Sequence, residues 1–341
     1  MKVGLEMVVS EFAGTVMKDT DYSHLDAVIP ESLRATFKLP KESIRFKDND
    51  AAEILAERVA RKALERAELE PADIDYIIAN NCGGKYCVPM VGSYVHWKLG
   101  FVVETPVLHL SQACASFVDA CEVAWNLVLA GKYKRILVVA VSAWETKGGQ
   151  ARADLTDPMN AAMGDGAGAA IVSSRNLKCE FLSYYNRTFS EVYDLCGAEL
   201  RSPTNPQLKQ AADQPPVSNY MYGTQAFFEW WQRMGERFGI DGVSGALKKA
   251  NLTLSDLDMV VFHQPADMLY EPWIDGAAKA GLSKDKWKHT WHKYGNIANA
   301  VVPVNLAEFW EKGELKKDSI IALITIGAGG HAPTMIIRWV V

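Results

Sequence analysis

Two stretches of the chain carry the same order of hydrophobic and polar positions. Residues 63–81 read ALERAELEPADIDYIIANN and residues 246–264 read ALKKANLTLSDLDMVVFHQ, with six identities in nineteen positions. Each copy has helical spacing, then a short turn that contains Asp73 or Asp256, then a β-branched run typical of a buried strand. The pattern predicts one helix-to-strand unit in each half of the chain.

The correspondence continues downstream of both units. Gly131 precedes an apolar run over residues 135–143, and Gly313 precedes a similar run over residues 319–327. A glycine that ends a helix before a continuous apolar strand is typical of a sheet that helices cover on both faces. The chain is therefore expected to form two similar α/β halves that pack together.

The boundary between the halves is predicted after a strand over residues 167–173. We expect an N-terminal half of residues 1–173 and a C-terminal half of residues 174–341. Residues 201–219 are rich in proline and polar side chains, which favours a long surface loop in the second half.

The composition is that of a globular protein with a substantial core. Of the 341 residues, 49% are hydrophobic and 23% are charged, which disfavours extended disorder. The net charge is −5 and the basic residues are scattered, so neither nucleic acid nor a membrane is an expected partner. No signal segment and no run of ~20 apolar residues is present, which predicts a cytoplasmic protein.

The six cysteines show no tight CxxC or CxxH spacing. In a large cytoplasmic chain such cysteines are expected to be reduced and mostly buried. Neither a metal site nor a disulfide framework is predicted.

One cysteine stands at the beginning of a predicted helix. The segment from His109 to Gly131 opens with small and polar residues and continues with helical spacing, which places Cys114 at the helix start. The helix dipole and the unpaired N–H groups of a first turn favour thiolate over thiol. Cys114 is therefore a candidate nucleophile, although a small buried apolar role is commoner for cysteine. That commoner role suits Cys121, two turns further along.

Two polar residues of the second half fall at matching positions. The repeat offset carries Cys114 onto Asn296, and His263 ends the second repeated strand where Asn80 ends the first. Asn296 could donate hydrogen bonds to an oxygen in a buried pocket, or it could be a turn or N-cap residue. His263 is either a site residue at a strand end or a hydrogen-bonded structural histidine.

At these residues the sequence resembles the thiolase superfamily and, within it, the ketoacyl synthase III-like condensing enzymes. The resemblance spans nearly the whole chain. Its motifs are QACASF at Cys114, GDGAGAAIV from Gly164, HQP from His263, YGNIANAVVP from Tyr294 and IGAGGHAPTMIIRW near the C-terminus. The resemblance implies a five-layer αβαβα fold, a homodimer, a catalytic triad of Cys114, His263 and Asn296, and no metal or redox cofactor.

The resemblance also implies a two-stage reaction. Cys114 takes an acyl group from a thioester of CoA or acyl carrier protein, and the carbanion from a malonyl thioester that loses carbon dioxide attacks it. The amide N–H groups of Cys114 and Ala328 would stabilise the first oxyanion. His263 and Asn296 would hold the malonyl carbonyl as it becomes an enolate.

Three motifs differ from the usual family pattern. HQAN is HQPA here, so Pro265 and Ala266 replace Ala and Asn, and GNTSAAS is GNIANAV, which places Ile297 beside Asn296. The N-terminal TGIxxR signature is degraded at residues 43–48, so no CoA contact is assigned there.

The loop over residues 81–90 resembles the family's dimer-interface loop, with Val88 at the tip, where it would line the acyl pocket of the opposite subunit. Residues 76–103 contain no carboxylate. A base for proton abstraction is therefore missing from this loop, which favours carbanion formation by decarboxylation.

Other functions on the same scaffold stay open. Acyl transfer to an oxygen, nitrogen or sulfur acceptor would use Cys114 and His263 without decarboxylation, and the presence of Asn296 favours condensation instead. A structural subunit of a heteromeric synthase would normally lack the nucleophile. A thiolase or hydroxymethylglutaryl synthase would need a second cysteine or an acidic base in a matching motif, and neither is found. The adjacent Trp230 and Trp231 could line a pocket or pack in the core.

Overall fold

The computed structural model describes residues 1–27, 38–45, 51–84, 89–144, 161–201 and 218–341. Its strands are β1 (Gly4–Glu11), β2 (Thr15–Lys18), β3 (Glu42–Arg45), β4 (Tyr76–Gly83), β5 (Val107–His109), β6 (Arg135–Ala143), β7 (Gly166–Ser173), β8 (Cys179–Thr188), β9 (Cys196–Arg201), β10 (Ser218–Gly223), β11 (Met259–Phe262), β12 (Trp287–Lys288), β13 (Ile320–Ile324) and β14 (His331–Trp339). Its α-helices are α1 (Ala51–Ala67), α2 (Val91–Leu99), α3 (Ser116–Leu129), α4 (Gln225–Lys249), α5 (Asp267–Lys279), α6 (Trp291–Tyr294) and α7 (Val301–Glu311).

Ten strands form one continuous sheet. It consists of two five-stranded parts, called its two sides below, which have the same strand order and directions. Outward from the centre, one side has the order β1-β7-β6-β4-β5 and the other has β8-β14-β13-β11-β12. On each side the first two pairings are antiparallel and the last two are parallel. The internal repeat in the sequence therefore corresponds to a repeat in strand order and direction.

The two sides of the sheet are joined by a short antiparallel pairing. Gly4 and Leu5 of β1 pair with Glu180 and Cys179 of β8. A Cβ atom at position 4 would lie 1.9 Å from the carbonyl oxygen of Cys179, so the close approach of the two strands requires glycine.

Helices separate and cover the two sides. Helices α3 and α7 lie between them, because α3 contacts β6, β7 and β14 while α7 contacts β1, β7 and β11. Helix α1 covers the outer face of β1, β6 and β7, and α4 covers β8, β13 and β14 with α5 packed against it. The five-layer αβαβα arrangement is confirmed.

Strand β6 shows why its sequence is almost continuously apolar. Ile136 and Val138 pack into the central core around α3 and α7, whereas Leu137 and Val139 pack into the outer core around α1. Because both faces of the strand are covered, no polar alternation is possible there.

The predicted helix-to-strand units are confirmed. The first contains α1 and β4 and the second contains α4 and β11. In the turns, the Asp73 carboxylate accepts from the amide of Glu70 and that of Asp256 accepts from the amide of Thr253. These short capping boxes explain why each copy needs an aspartate at that point.

The predicted strand bounds agree with the structure to different degrees. The run over residues 135–143 is β6 itself, and the run over residues 167–173 lies within β7. The run over residues 319–327 was too long, because β13 ends at Ile324. The expected loop over residues 201–219 was wrong at both ends, since β9 reaches Arg201 and the antiparallel β10 begins at Ser218.

The described part of the chain has neither a membrane-spanning helix nor a cluster of metal-binding side chains. None of its helices is long and apolar enough to cross a membrane. Its His, Cys, Asp and Glu side chains form no group that could hold a metal ion.

Candidate active site

Cys114 lies in a tight turn between β5 and α3. Ala113, directly before it, has a φ of 48°, in the left-handed region that residues other than glycine seldom adopt. The Ser116 hydroxyl holds this turn, because it accepts from the amide of Gln112 at 2.8 Å and donates to the carbonyl of Ala113 at 2.6 Å. The conformation presents the half-buried Cys114 just before the first turn of α3.

The thiol of Cys114 differs from the sequence expectation in one respect. Its pKa is raised well above the usual value, chiefly by a hydrogen bond to the Cys82 thiol and secondly by burial. The pKa of Cys82 is lowered, chiefly because its sulfur receives that bond and also because the amide of Asn299 donates to it. The expected helix-start effect is therefore outweighed by a neighbouring thiol.

His263 follows β11 and is held in the core as a neutral imidazole. Its side chain is 3% exposed, and burial lowers its pKa from 6.5 to about 4. Its Nε2 lies 3.2 Å from Oδ1 of Asn296. Since that oxygen also accepts from the amide of Ala298 at 2.9 Å, the network assigns the proton of His263 to Nε2.

Asn296 is fixed from both sides by the backbone. Its amide donates to the carbonyl of Ala162 at 2.9 Å, and its carbonyl accepts from the amide of Gly164 at 2.8 Å. A Cβ atom at position 164 would lie 2.0 Å from the Tyr294 carbonyl oxygen, which accounts for a glycine in the GDGAG motif. Because Oδ1 already accepts two hydrogen bonds, Nδ2 is the group that Asn296 can offer to a ligand.

The glycine-rich segment after β13 packs directly on the Cys114 turn. A Cβ atom at Gly327 would lie 2.1 Å from the carbonyl oxygen of Gln112, so only glycine permits this contact. Ala328, which follows it, lines the same pocket as Cys114. The predicted source of a second oxyanion donor therefore lines the pocket to which the thiol opens.

The three predicted site residues open to one pocket that encloses about 700 Å³. One wall is aromatic and comes from the start of α4. The lining residues are Cys114, Val192, Cys196, Gly223, Phe227, Phe228, Trp231, His263, Pro265, Leu269, Asn296, Ile326, Gly327, Ala328, Gly329 and Gly330. Trp231 thus lines the pocket, while Trp230 is buried in the adjacent core and donates from Nε1 to Glu191.

The altered family motifs are accommodated by other contacts. Pro265 lines the pocket and Ala266 is the N-cap residue of α5. Gln264 accepts the amide of Thr290 at 3.0 Å through Oε1, which ties the segment after β11 to the segment that leads into α6. Ile297 is fully buried. Val88 and residues 46–48 lie outside the described residues.

Sequence reasoning missed the polar residues behind the nucleophile. Asn299 donates from Nδ2 to Oδ1 of Asn80, and both side chains are about 1% exposed. Asn80 occupies the strand position that matches His263 in the other half, and that match was the available signal. Cys82, two residues further along the same strand, carried no motif that set it apart.

Models of known protein families match three regions of the chain. The 3-oxoacyl-[acyl-carrier-protein] synthase III model matches residues 108–188, and the model of that family's C-terminal region matches residues 247–339. A third model, the N-terminal domain of thiolase, matches residues 28–147.

Individual relatives and solved structures agree with this result. The chain is 29% identical over 293 residues to a beta-ketoacyl-[acyl-carrier-protein] synthase III of Staphylococcus aureus, which covers 86% of this chain and 84% of the relative. A variant of OleA from Xanthomonas campestris superimposes with a TM-score of 0.82 at 19% identity, covering 99% of both chains. FabH, the 3-oxoacyl-(acyl carrier protein) synthase III of Pseudomonas aeruginosa, gives 0.81 at 20% identity, covering 100% of this chain and 99% of the other. At these identities the structural matches establish the fold.

Proposed function

Because the chain belongs to the ketoacyl synthase III-like branch of the thiolase superfamily, a group of condensing enzymes, we propose that it catalyses a decarboxylative Claisen condensation of two thioesters. The observation that carries the proposal is the shared pocket, into which Cys114, His263 and Asn296 open beside an aromatic wall. A nucleophile and two neutral donors around an apolar chamber fit an acyl thioester substrate.

In the first stage Cys114 is acylated. Its sulfur attacks the thioester carbonyl of an acyl-CoA or acyl carrier protein, the carbon–sulfur bond to the carrier breaks, and the thiol proton leaves with the carrier as its free thiol. The backbone N–H groups of Cys114 and Ala328 are the proposed donors to the tetrahedral oxyanion. Apolar residues of α4, such as Phe227 and Trp231, receive the acyl chain.

In the second stage a malonyl thioester replaces the free carrier. Its carbon–carbon bond to the carboxylate breaks, carbon dioxide leaves, and the electron pair forms an enolate thioester. The Nδ2 group of Asn296 donates to the enolate oxygen. The Nε2–H of His263, which is bonded to Oδ1 of Asn296 in the free enzyme, is the second proposed donor and exchanges that bond for one to the enolate. The enolate carbon then attacks the acyl-enzyme carbonyl, which releases the β-ketoacyl product and the Cys114 sulfur.

The neutral state of His263 suits this stage. With a pKa of about 4, the imidazole is an uncharged donor at neutral pH and holds its proton on the nitrogen beside Asn296. A neutral donor stabilises a developing oxyanion without first attracting the malonyl carboxylate that must leave.

The substrates are thioesters, and the chemistry uses no metal or redox cofactor. We propose that the protein acts as a cytoplasmic homodimer, with Val88 at the tip of a loop that lines the partner's acyl pocket. The altered motifs favour a specialised biosynthetic pathway over the priming of ordinary fatty-acid synthesis.

Intact-mass measurement tests the proposal. The enzyme is incubated with a panel of acyl-CoA donors, and the acylated form is then mixed with malonyl-CoA or malonyl acyl carrier protein. We expect one acyl adduct per chain, followed by its loss together with carbon dioxide and a β-ketoacyl thioester. Loss of the adduct to an oxygen, nitrogen or sulfur acceptor without carbon dioxide would instead identify an acyltransferase.

A further inference from the structure

A second thiol of the first half lies directly behind the nucleophile. Strands β4 and β5 run parallel, with Ala79 opposite His109, and the amide of Leu110 continues the ladder to the carbonyl of Ala79. Cys82 is three residues beyond Ala79, and Cys114 is five residues beyond His109. Strand β4 and the segment after β5 therefore each bring a cysteine to the same edge of the sheet, the one at which the carboxyl ends of these strands lie.

The two thiols are in contact at that edge. Each thiol is the main cause of the other's pKa shift, through a hydrogen bond between the two sulfurs. Both side chains are partly buried and pack against one small apolar cluster, formed by Trp144, Met163 and Ala298.

The two thiols are also unequal. The pKa of Cys82 is lowered by the bond from Cys114 and by the amide of Asn299, whereas the pKa of Cys114 is raised. The pair therefore loses its first proton more easily than an isolated buried thiol, and the remaining proton lies between the sulfurs. A thiolate next to a protonated thiol is the arrangement from which disulfides form.

We propose that Cys82 and Cys114 form an active-site dithiol that hydrogen peroxide converts into a reversible disulfide. The thiolate of the pair attacks one peroxide oxygen, the oxygen–oxygen bond breaks, and the departing hydroxide takes a proton to become water. The resulting sulfenic acid is attacked by the partner sulfur, whose proton leaves with the hydroxyl group as a second water. Two thiols are oxidised to one disulfide and one peroxide is reduced to two waters.

The disulfide has two consequences for the site. It removes the nucleophile from the pocket, which stops acylation while the bond exists. It also protects Cys114, because a sulfenic acid with no partner thiol proceeds to sulfinic and sulfonic acids that ordinary thiols do not reduce. Cys82 therefore acts as the resolving residue for the nucleophile.

The other described cysteines differ from this pair. Cys121 and Cys179 are buried, and burial raises the pKa of each. Cys196 lines the same pocket as Cys114, and burial raises its pKa to about 11. Cys196 is therefore the competing partner that an experiment must separate from Cys82.

Peptide mapping after peroxide treatment tests the pairing. The full chain is treated with a few equivalents of hydrogen peroxide, the free thiols are alkylated, and a non-reducing digest is analysed by mass spectrometry. We expect the chain to lose the mass of two hydrogen atoms and to yield a peptide that links Cys82 to Cys114. Dithiothreitol should restore full alkylation of Cys114 by iodoacetamide. A link from Cys114 to Cys196, or no link at all, would overturn the proposal.

Matched serine variants give the second readout. In Cys82→Ser we expect Cys114 to gain two or three oxygen atoms, with less than about a tenth of its alkylation restored by dithiothreitol. Cys196→Ser should recover as fully as the unmodified chain, and thermal unfolding of all three proteins shows whether each is folded. Full recovery in Cys82→Ser would overturn the proposal, and Cys82→Ala serves in its place if the serine variant does not fold. Because alkylation and mass are the readouts, the result is independent of whether the enzyme condenses malonyl thioesters.

Discussion

The two halves of the molecule have the same strand order but supply the pocket with different kinds of groups. The first half brings the thiols Cys82 and Cys114, one of which must ionise to react. The second half brings His263, whose pKa is lowered to about 4 by burial, and Asn296, and both are uncharged and are the proposed hydrogen-bond donors. The repeated scaffold thus supplies one pocket with a thiol from the first half and with an imidazole and an amide from the second half.

Position 80 and its repeat partner show how the difference arises. His263 directly follows β11, whereas the matching Asn80 lies within β4, which continues to Gly83. Asn80 is hydrogen-bonded to Asn299, while His263 opens to the pocket. Equivalent positions of the repeat therefore carry a supporting asparagine in the first half and a candidate catalytic histidine in the second.

The largest expected effect is the loss of the first half's nucleophile. Cys114→Ala should abolish the acyl adduct and lower turnover by about 10³-fold or more, because it removes the proposed nucleophile of the covalent intermediate. Cys121→Ala, on the same helix, is the control and should keep the adduct in an intact-mass measurement. An adduct that persists in Cys114→Ala would show that Cys114 is not the nucleophile that the first half supplies.

The second half should matter most after acylation. His263→Ala and Asn296→Ala should each lower malonyl decarboxylation by about 10²-fold, the usual cost of an oxyanion donor. Release of carbon dioxide is the measurement, and the rate of self-acylation is measured in parallel. If both variants lost acylation to the same degree as decarboxylation, His263 would be acting on the thiol and the enzyme would be an acyltransferase.

The pH dependence should differ between the two stages. Self-acylation should rise as the pH increases from 6 to about 9, because the pKa of Cys114 is raised and its reactive thiolate forms only at high pH. Condensation by enzyme that is already acylated should stay nearly constant from about pH 8 to about pH 5, because the pKa of His263 is about 4 and the imidazole remains neutral. Single-turnover rates of each stage give the two profiles, and parallel profiles would contradict this assignment.

The smallest effect concerns the scaffold that the halves share. Asp75 accepts the backbone amides of Lys134 and Arg135, whereas among the described residues its counterpart Asp258 accepts only that of Ile320. Asp75→Ala should therefore lower the free energy of unfolding by about 1 kcal/mol more than Asp258→Ala. Urea denaturation of the two variants measures the difference, and an equal or larger loss in Asp258→Ala would contradict this prediction.

Much of the fold followed from the repeated hydrophobic pattern. Strand β6 was predicted to the residue, because eight consecutive buried positions between a glycine and a polar segment leave little freedom. Strand β10 was missed, because residues 218–223 are stabilised by pairing with β9 and carry no strong pattern of their own. The division into residues 1–173 and 174–341 stays a prediction.

The sequence motifs identified the residues of the candidate site, but they did not predict the neighbouring groups that set the pKa of Cys114. The motifs indicated Cys114, His263 and Asn296, and the structure brings all three to one pocket. The pKa of Cys114 had the wrong expected direction, because an argument from the helix start treats the thiol in isolation. Its neighbour Cys82 is set by the register of β4 against β5, which is a property of three-dimensional pairing.

The central position of β1 has a consequence for synthesis on the ribosome. Its pairing partner on the first side, β7, begins 155 residues after β1 ends, and its partner on the second side, β8, comes later still. At ~5–20 residues per second, the apolar strand emerges roughly ten to thirty seconds before either partner exists. During that interval GLEMVVSE is an unpaired edge that chaperones or other nascent chains can bind, so the first strand made is among the last to be enclosed.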